Sequence, residues 1–200
     1  MGIKIKCDYC GNETPHTKRG EAIEEEELEF DGEDGRSITI NWNTLLLQCD
    51  VCSNVSLHYF SPDIGEEEIR QLFPVVKDLS GVPTDVVNSY SEAKKVKNIS
   101  PLAFVTLIRR SLEYVCMEKG AVGKDLNDKL KDLGKKEIIP QTLSKMSHVI
   151  RILGNIGAHA DNTEIGKDEA RIIDDFFIAV LEYVYIAPEK IKKVEKYLKK

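Results

Sequence analysis

The sequence predicts an α+β chain, in which a small β module over residues 1–62 and a connector at 63–83 with one short helix precede a mainly α-helical domain over 84–200. Three observations lead there. Two C-x-x-C pairs, Cys7/Cys10 and Cys49/Cys52, bracket a stretch rich in strand-forming residues. Apolar residues recur at helical spacing from Thr84 onward. The length of 200 residues, 42% of them hydrophobic, suffices for a metal-stabilised module and a helical domain with its own core.

In the first segment, Leu28 to Phe30 and Ser37 to Ile40 flank the turn-rich stretch DGEDG, a hairpin signal. Asn43 to Gln48 then leads into the second cysteine pair. The run Glu24 to Glu27 reads as a solvated edge that discourages strand pairing. In the connector, Glu66 to Phe73 reads as a short helix stopped at Pro74. Thr84 is the expected N-cap of a helix carrying Val86, Val87, Tyr90, Ala93 and Val96 on helical spacing. Ser100 and Pro101 open the next helix, through Leu107, Leu112 and Val115 to Gly120. Asp125 to Leu133 is short, Pro140 opens a helix to about His159, and the last runs from near Lys167 to Ala187. Pro188 then starts a final basic helical turn or two.

The cysteine pairs are the strongest chemical signal. They lie in an internal repeat, CDYCGN at 7–12 and CDVCSN at 49–54. Each copy is followed by a His six residues after its second Cys, His16 and His58. Two such knuckles aim four sulfurs at one point and suit one structural Zn²⁺ held by Cys7, Cys10, Cys49 and Cys52, a zinc ribbon; iron or a redox dithiol is the remaining reading. Four thiolates close the shell, so the metal is expected to be structural. The two histidines either replace a sulfur, sit beside the ligands, or share a turn geometry. Cys116 falls on the inner face of its helix as a small core residue.

Charge narrows the function classes. Residues 1–62 hold 12 acidic against 5 basic side chains, a balance of −7, whereas residues 63–200 are near neutral. An acidic ribbon repels phosphate, which points to a structural or protein-contact module. Residues 188–200 carry six Lys against two Glu, read as a solvated helix end or as a nucleic-acid contact. No apolar run approaches the roughly 20 residues needed to cross a bilayer, and no leader-like apolar stretch opens the sequence. A cytoplasmic protein with no membrane partner is expected.

A second signal lies at Arg151-Ile-Leu-Gly-Asn155-Ile-Gly-Ala-His159. Two glycines in a helix cost about 1 kcal/mol each relative to Ala. Gly154, Gly157 and Ala158 would let a neighbouring helix or a second subunit approach closely. Arg151, Asn155 and His159 recur at four-residue steps and form one polar stripe, either a ligand site or a helix–helix contact. Arg109, Arg110 and Glu113 are candidate partners for that stripe, or a surface ion-pair group.

At Ile108-Arg-Arg-Ser-Leu-Glu113, the Gly123 to Leu130 stretch, Ile150 to Asn155, and Ala158-His159, the chain resembles a prokaryotic family of domains of unknown function. That family is placed with the HEPN helical superfamily, and the likeness covers about residues 80–185, with the ribbon-first arrangement beside it. The resemblance implies a HEPN-like helical bundle, a homodimer, and a restriction- or phage-defence setting. Active HEPN ribonucleases use an Arg, a polar residue, three variable positions and a His, without a metal. Asn155 and His159 match two of these positions, but Gly154 occupies the Arg position. Arg151 is eight residues from His159, about 12 Å along a helix. The expectation is a non-catalytic binding or scaffolding protein, with a cleft of Arg109, Arg110, Glu113, Arg151, Asn155 and His159 for a protein partner, RNA or a nucleotide. The enzyme alternative is a metal-independent endoribonuclease using His159, Asn155 and Arg151.

Overall fold

A computed structural model describes residues 3–29, 37–63, 69–75, 78–146 and 165–199. The chain divides into two compact units, Met1–Lys77 and Asp78–Lys200. The first is a five-stranded antiparallel sheet in the order β1-β2-β3-β4-β5, with β1 at Ile3–Lys6, β2 at Glu13–Glu29, β3 at Ser37–Cys49, β4 at Val55–Phe60 and β5 at Arg70–Phe73. Sequential hairpins make such a meander with short-range pairings only.

The two central strands far outrun their neighbours. β2 and β3 pair from His16↔Cys49 to Glu29↔Ser37, with a bulge between Lys18 and Gly20. β1 covers only Glu13–His16, and β4 covers β3 only over Asn43–Gln48. The outer half, Glu24–Glu29 against Ser37–Trp42, is therefore a two-stranded ribbon, a form that is marginal without further support. Its support is cross-strand. Trp42 stacks on Tyr59 with centroids 4.7 Å apart and planes 6° from parallel, and its indole N–H donates to Glu26 at 2.7 Å. The Glu24 to Glu27 run lies within β2 and is exposed, as its charge requires.

The helix expected over Glu66 to Phe73 is not what forms at its described end. Arg70–Phe73 is β5, paired antiparallel with β4 through Leu57↔Phe73 and Tyr59↔Arg70. So short a segment against a proline lacks the length to offset helix nucleation, whereas the free edge of β4 offers partners for its backbone groups at once.

The second unit is helical: α1 at Thr84–Val96, α2 at Pro101–Glu118, α3 at Leu126–Lys135, α4 at 141–146, and a last continuous run. That run is α5 at Lys167–Leu181, a π-turn at Glu182–Ile186 and α6 at Ala187–Leu198. Counting it as one, the described residues make five helices. Ser100 caps α2 by accepting from the Ala103 N–H, and Asp125 caps α3 from the Asp128 N–H. Thr84 is not the cap of α1; it is the first helical residue, and Pro83 precedes it with no side-chain cap. The π-turn reconciles Pro188 with a continuous helix. The Ala187 N–H reaches back five residues to the Glu182 carbonyl, easing the register where proline has no N–H to give.

Apolar stripes of these helices meet in one core. Phe104, Ile108, Leu112 and Val115 of α2 lie with Leu130 and Leu133 of α3 and with Phe177, Val180 and Leu181 of α5, all fully buried. Each such side chain contributes about 1.5–3 kcal/mol of burial. The sheet unit has no comparable interior. Its buried apolar residues are Ile40, Leu45 and Leu47 beside Cys7, Cys10 and Cys49. A module with so little apolar burial needs another source of stability. No helix among the described residues is long and apolar enough to cross a membrane.

Candidate functional site

The sequence repeat is a structural repeat. In the first knuckle the Cys7 N–H donates to the Asn12 carbonyl at 2.9 Å and the Gly11 N–H to the Cys7 carbonyl at 2.7 Å. In the second, the Cys49 N–H donates to the Asn54 carbonyl at 3.0 Å and the Ser53 N–H to the Cys49 carbonyl at 2.9 Å. Both turns close through a left-handed residue, Gly11 at φ 69° and Ser53 at φ 59°. Glycine adopts that conformation freely, and Ser53 does so at a cost of about 1–2 kcal/mol.

The two turns bring four sulfurs together. Cys7, Cys10, Cys49 and Cys52 place their Sγ atoms within 4.8 Å of one another. Cys7 to Cys52 is 3.7 Å and Cys10 to Cys49 is 3.9 Å. A tetrahedron with metal–sulfur bonds of about 2.3 Å has edges of about 3.8 Å, so the donor set fits a single structural Zn²⁺. Three of the cysteines are buried and Cys52 is half-buried. The hydrogen bond between the Cys7 and Cys52 sulfurs, with burial, pushes Cys7 well up and draws Cys52 down to about 5. Burial raises Cys49 as well. One thiolate is thus favoured at neutral pH before any cation arrives, and a cation displaces the remaining protons.

Neither histidine belongs to the cysteine cluster. His16 pairs in register with Cys49, and His58 with Leu45 on the same strand face. Both are buried. His16 Nδ1 lies 2.9 Å from the Thr14 carbonyl, which can only accept, so Nδ1 carries the proton and Nε2 presents a lone pair. That Nε2 is buried without a hydrogen-bond partner among the described residues. His58 Nε2 lies 2.9 Å from Ser56 Oγ. Burial, then the neighbouring His16, lowers its pKa below 6.5.

The helical candidates separate. Arg110 is exposed, donates to Tyr114 at 3.1 Å, and lies 4.0 Å from Glu92 of α1. Glu113 is ion-paired with Lys129 of α3. One turn of α2 thus sends Arg110 toward α1 and Glu113 toward α3. Arg109 is half-buried. Arg151, Gly154, Asn155, Gly157, Ala158 and His159 lie outside the described residues. Cys116 is fully buried, and desolvation pushes its thiol up to about 12, which leaves it an unreactive core residue.

Sequence reasoning missed a polar clamp between α1 and α5. Asp174 accepts from Tyr90 at 2.7 Å and pairs with Lys97 at 2.6 Å. Burial and the Asp174 carboxylate push the Tyr90 phenol well above its ordinary range. Tyr90 stood out in the sequence, but its partner is 84 positions away, and no local signal joins them.

Neither the curated proteins nor the solved structures contain a match to the chain. A family model described as a domain of unknown function, DUF4145, matches residues 91–197. That span takes in α2, α3, α5 and almost all of α6, the part of the chain with the apolar core, and covers more than half of the sequence. The chain therefore belongs to the DUF4145 family and carries a four-cysteine cluster ahead of its family domain.

Proposed function

We propose that this protein is a non-catalytic binding or scaffolding protein, dimeric in solution, in which a zinc ribbon precedes a HEPN-like helical binding domain. Its setting is the cytoplasm of a prokaryote, in nucleic-acid-related or phage-defence work. The observation that carries the non-catalytic reading is Gly154, which stands where active HEPN ribonucleases place their arginine. An acid–base residue at His159 would then lack the charge stabiliser that supplies the larger share of such catalysis. When bound, Zn²⁺ cross-links the two knuckles; with four thiolates filling its shell it has no position left for substrate.

On this reading Gly154 and Gly157 form a close helix or dimer seam. Arg109, Arg151, Asn155 and His159 line the cleft that takes a protein partner, RNA or a nucleotide. The alternative, a metal-independent endoribonuclease with His159 as general base, is favoured by the match of Asn155 and His159 to two of the three motif positions. Its phosphate clamp would be Arg151, since Arg110 is engaged by Tyr114 and Glu92. RNA incubated with the wild-type chain and with His159→Ala, EDTA present, separates the two. No cleavage by either protein is expected. Cleavage that survives chelation and disappears in His159→Ala would overturn the proposal.

A further inference from the structure

Two surfaces of this protein are unpartnered and opposite in charge. The first is one face of the β2–β3 ribbon. Cross-strand pairs Leu28↔Ile38, Glu26↔Ile40 and Glu24↔Trp42 share that face. Leu28 and Ile38 are 39% and 46% exposed, and Trp42 stacks on Tyr59 beside them. Glu24, Glu25, Glu26 and Glu27 are all exposed, and no Lys or Arg occurs in either described strand from Gly20 to Glu29 or from Ser37 to Cys49. The second is α6, which has no buried residue. Ile191, Val194 and Leu198 recur at i, i+3 and i+7 and are 58%, 57% and 77% exposed. Lys190, Lys192, Lys193, Lys196 and Lys199 surround that row.

We infer that the acidic, aromatic face of the ribbon docks the basic amphipathic helix α6 of a second copy of this chain, so that two copies associate through two reciprocal ribbon–helix contacts. Charge selects this pairing. Ribbon on ribbon would set glutamates against glutamates, and helix on helix would set lysines against lysines, each repulsive. Ribbon on helix opposes the two signs and buries two apolar rows at once. The rows match in length: Ile191 to Leu198 rises about 10 Å along a helix, and Ile38 to Trp42 spans about 13 Å along a strand. A reciprocal contact closes after two copies, so it yields a dimer and not a filament. This surface is separate from the Gly154/Gly157 seam.

Charge reversal on full-length, zinc-loaded protein tests it by sedimentation equilibrium. The ribbon variant is Glu24→Lys/Glu25→Lys/Glu27→Lys, which spares the Glu26 carboxylate bound to Trp42; the helix variant is Lys193→Glu/Lys196→Glu/Lys199→Glu. Wild type is expected to dimerise, with a Kd that rises about tenfold or more between low and high salt. Each variant alone, shown folded by circular dichroism and zinc content, is expected to be monomeric. Their equimolar mixture is expected to recover the dimer, because each ribbon then meets a helix of opposite sign. A monomeric wild type would overturn the inference, as would folded variants that fail to recover on mixing. A dimer that survives both reversals would also overturn it, while leaving the glycine seam standing.

Discussion

Ser53 sits at φ 59° where the first knuckle has Gly11 at φ 69°, and the turn holds because the same pair of backbone hydrogen bonds closes both copies. At this scale the cysteines, His58 and Asp174 carry the testable consequences. Cys10→Ser removes one of four sulfurs from a cluster whose edges are 3.7 and 3.9 Å. Elemental analysis is expected to show zinc falling from one per chain toward none. His58 is held neutral by burial and by His16, so its folded pKa lies below 6.5. A group lowered in this way favours folding in full above pH 6.5, and that contribution is lost as pH falls from 6.5 through the folded value. The melting temperature of the sheet unit is therefore expected to drop on acidification below 6.5, with a shallower slope in His58→Gln. Asp174→Ala would leave the Tyr90 hydroxyl and Lys97 without their shared acceptor. Chemical denaturation is expected to show a loss of about 2–3 kcal/mol.

Among the elements, α3 meets α4 through a missing side chain. A Cβ at Gly134 would lie 2.8 Å from Ser144 Oγ and 2.9 Å from Ser144 Cβ. Alanine is the better helix former by about 1 kcal/mol, yet the clash sets the sign here. Gly134→Ala is expected to destabilise the helical unit by about 1–2 kcal/mol in urea unfolding, and Gly134→Ala/Ser144→Gly to recover most of it. The strand β5 makes the complementary point. Its four residues lack a strong strand pattern and stand after a run of glutamates, so a helix looked favourable from local preference. The open edge of β4 decided otherwise, because pairing satisfies backbone groups that a single frayed helical turn leaves to water.

For the whole molecule, the two units differ in what holds them. The helical unit buries Phe104, Phe177 and a full set of aliphatic residues, whereas the sheet unit buries few apolar groups around its cysteines. Chelation is therefore expected to unfold Met1–Lys77 and spare Asp78–Lys200. Trp42 is the sole tryptophan and lies in the ribbon stacked on Tyr59, so its fluorescence reports the first unit. Its emission is expected to red-shift on metal removal while the helical far-ultraviolet signal persists; joint loss of both would refute separate stabilisation.

The sequence by itself determined the class of fold, the four-cysteine cluster and most helix starts. Those features are local: a C-x-x-C knuckle closes within six residues, and Ser100 or Asp125 caps a helix by bonding three residues ahead. Only the tertiary structure decided that Arg110 and Glu113 part toward different helices, that Arg70–Phe73 extends the sheet, and that Asp174 gathers Tyr90 and Lys97. Each of these depends on which surface happens to be nearest after the chain has packed, and residues tens of positions apart leave no periodic trace of it in the sequence.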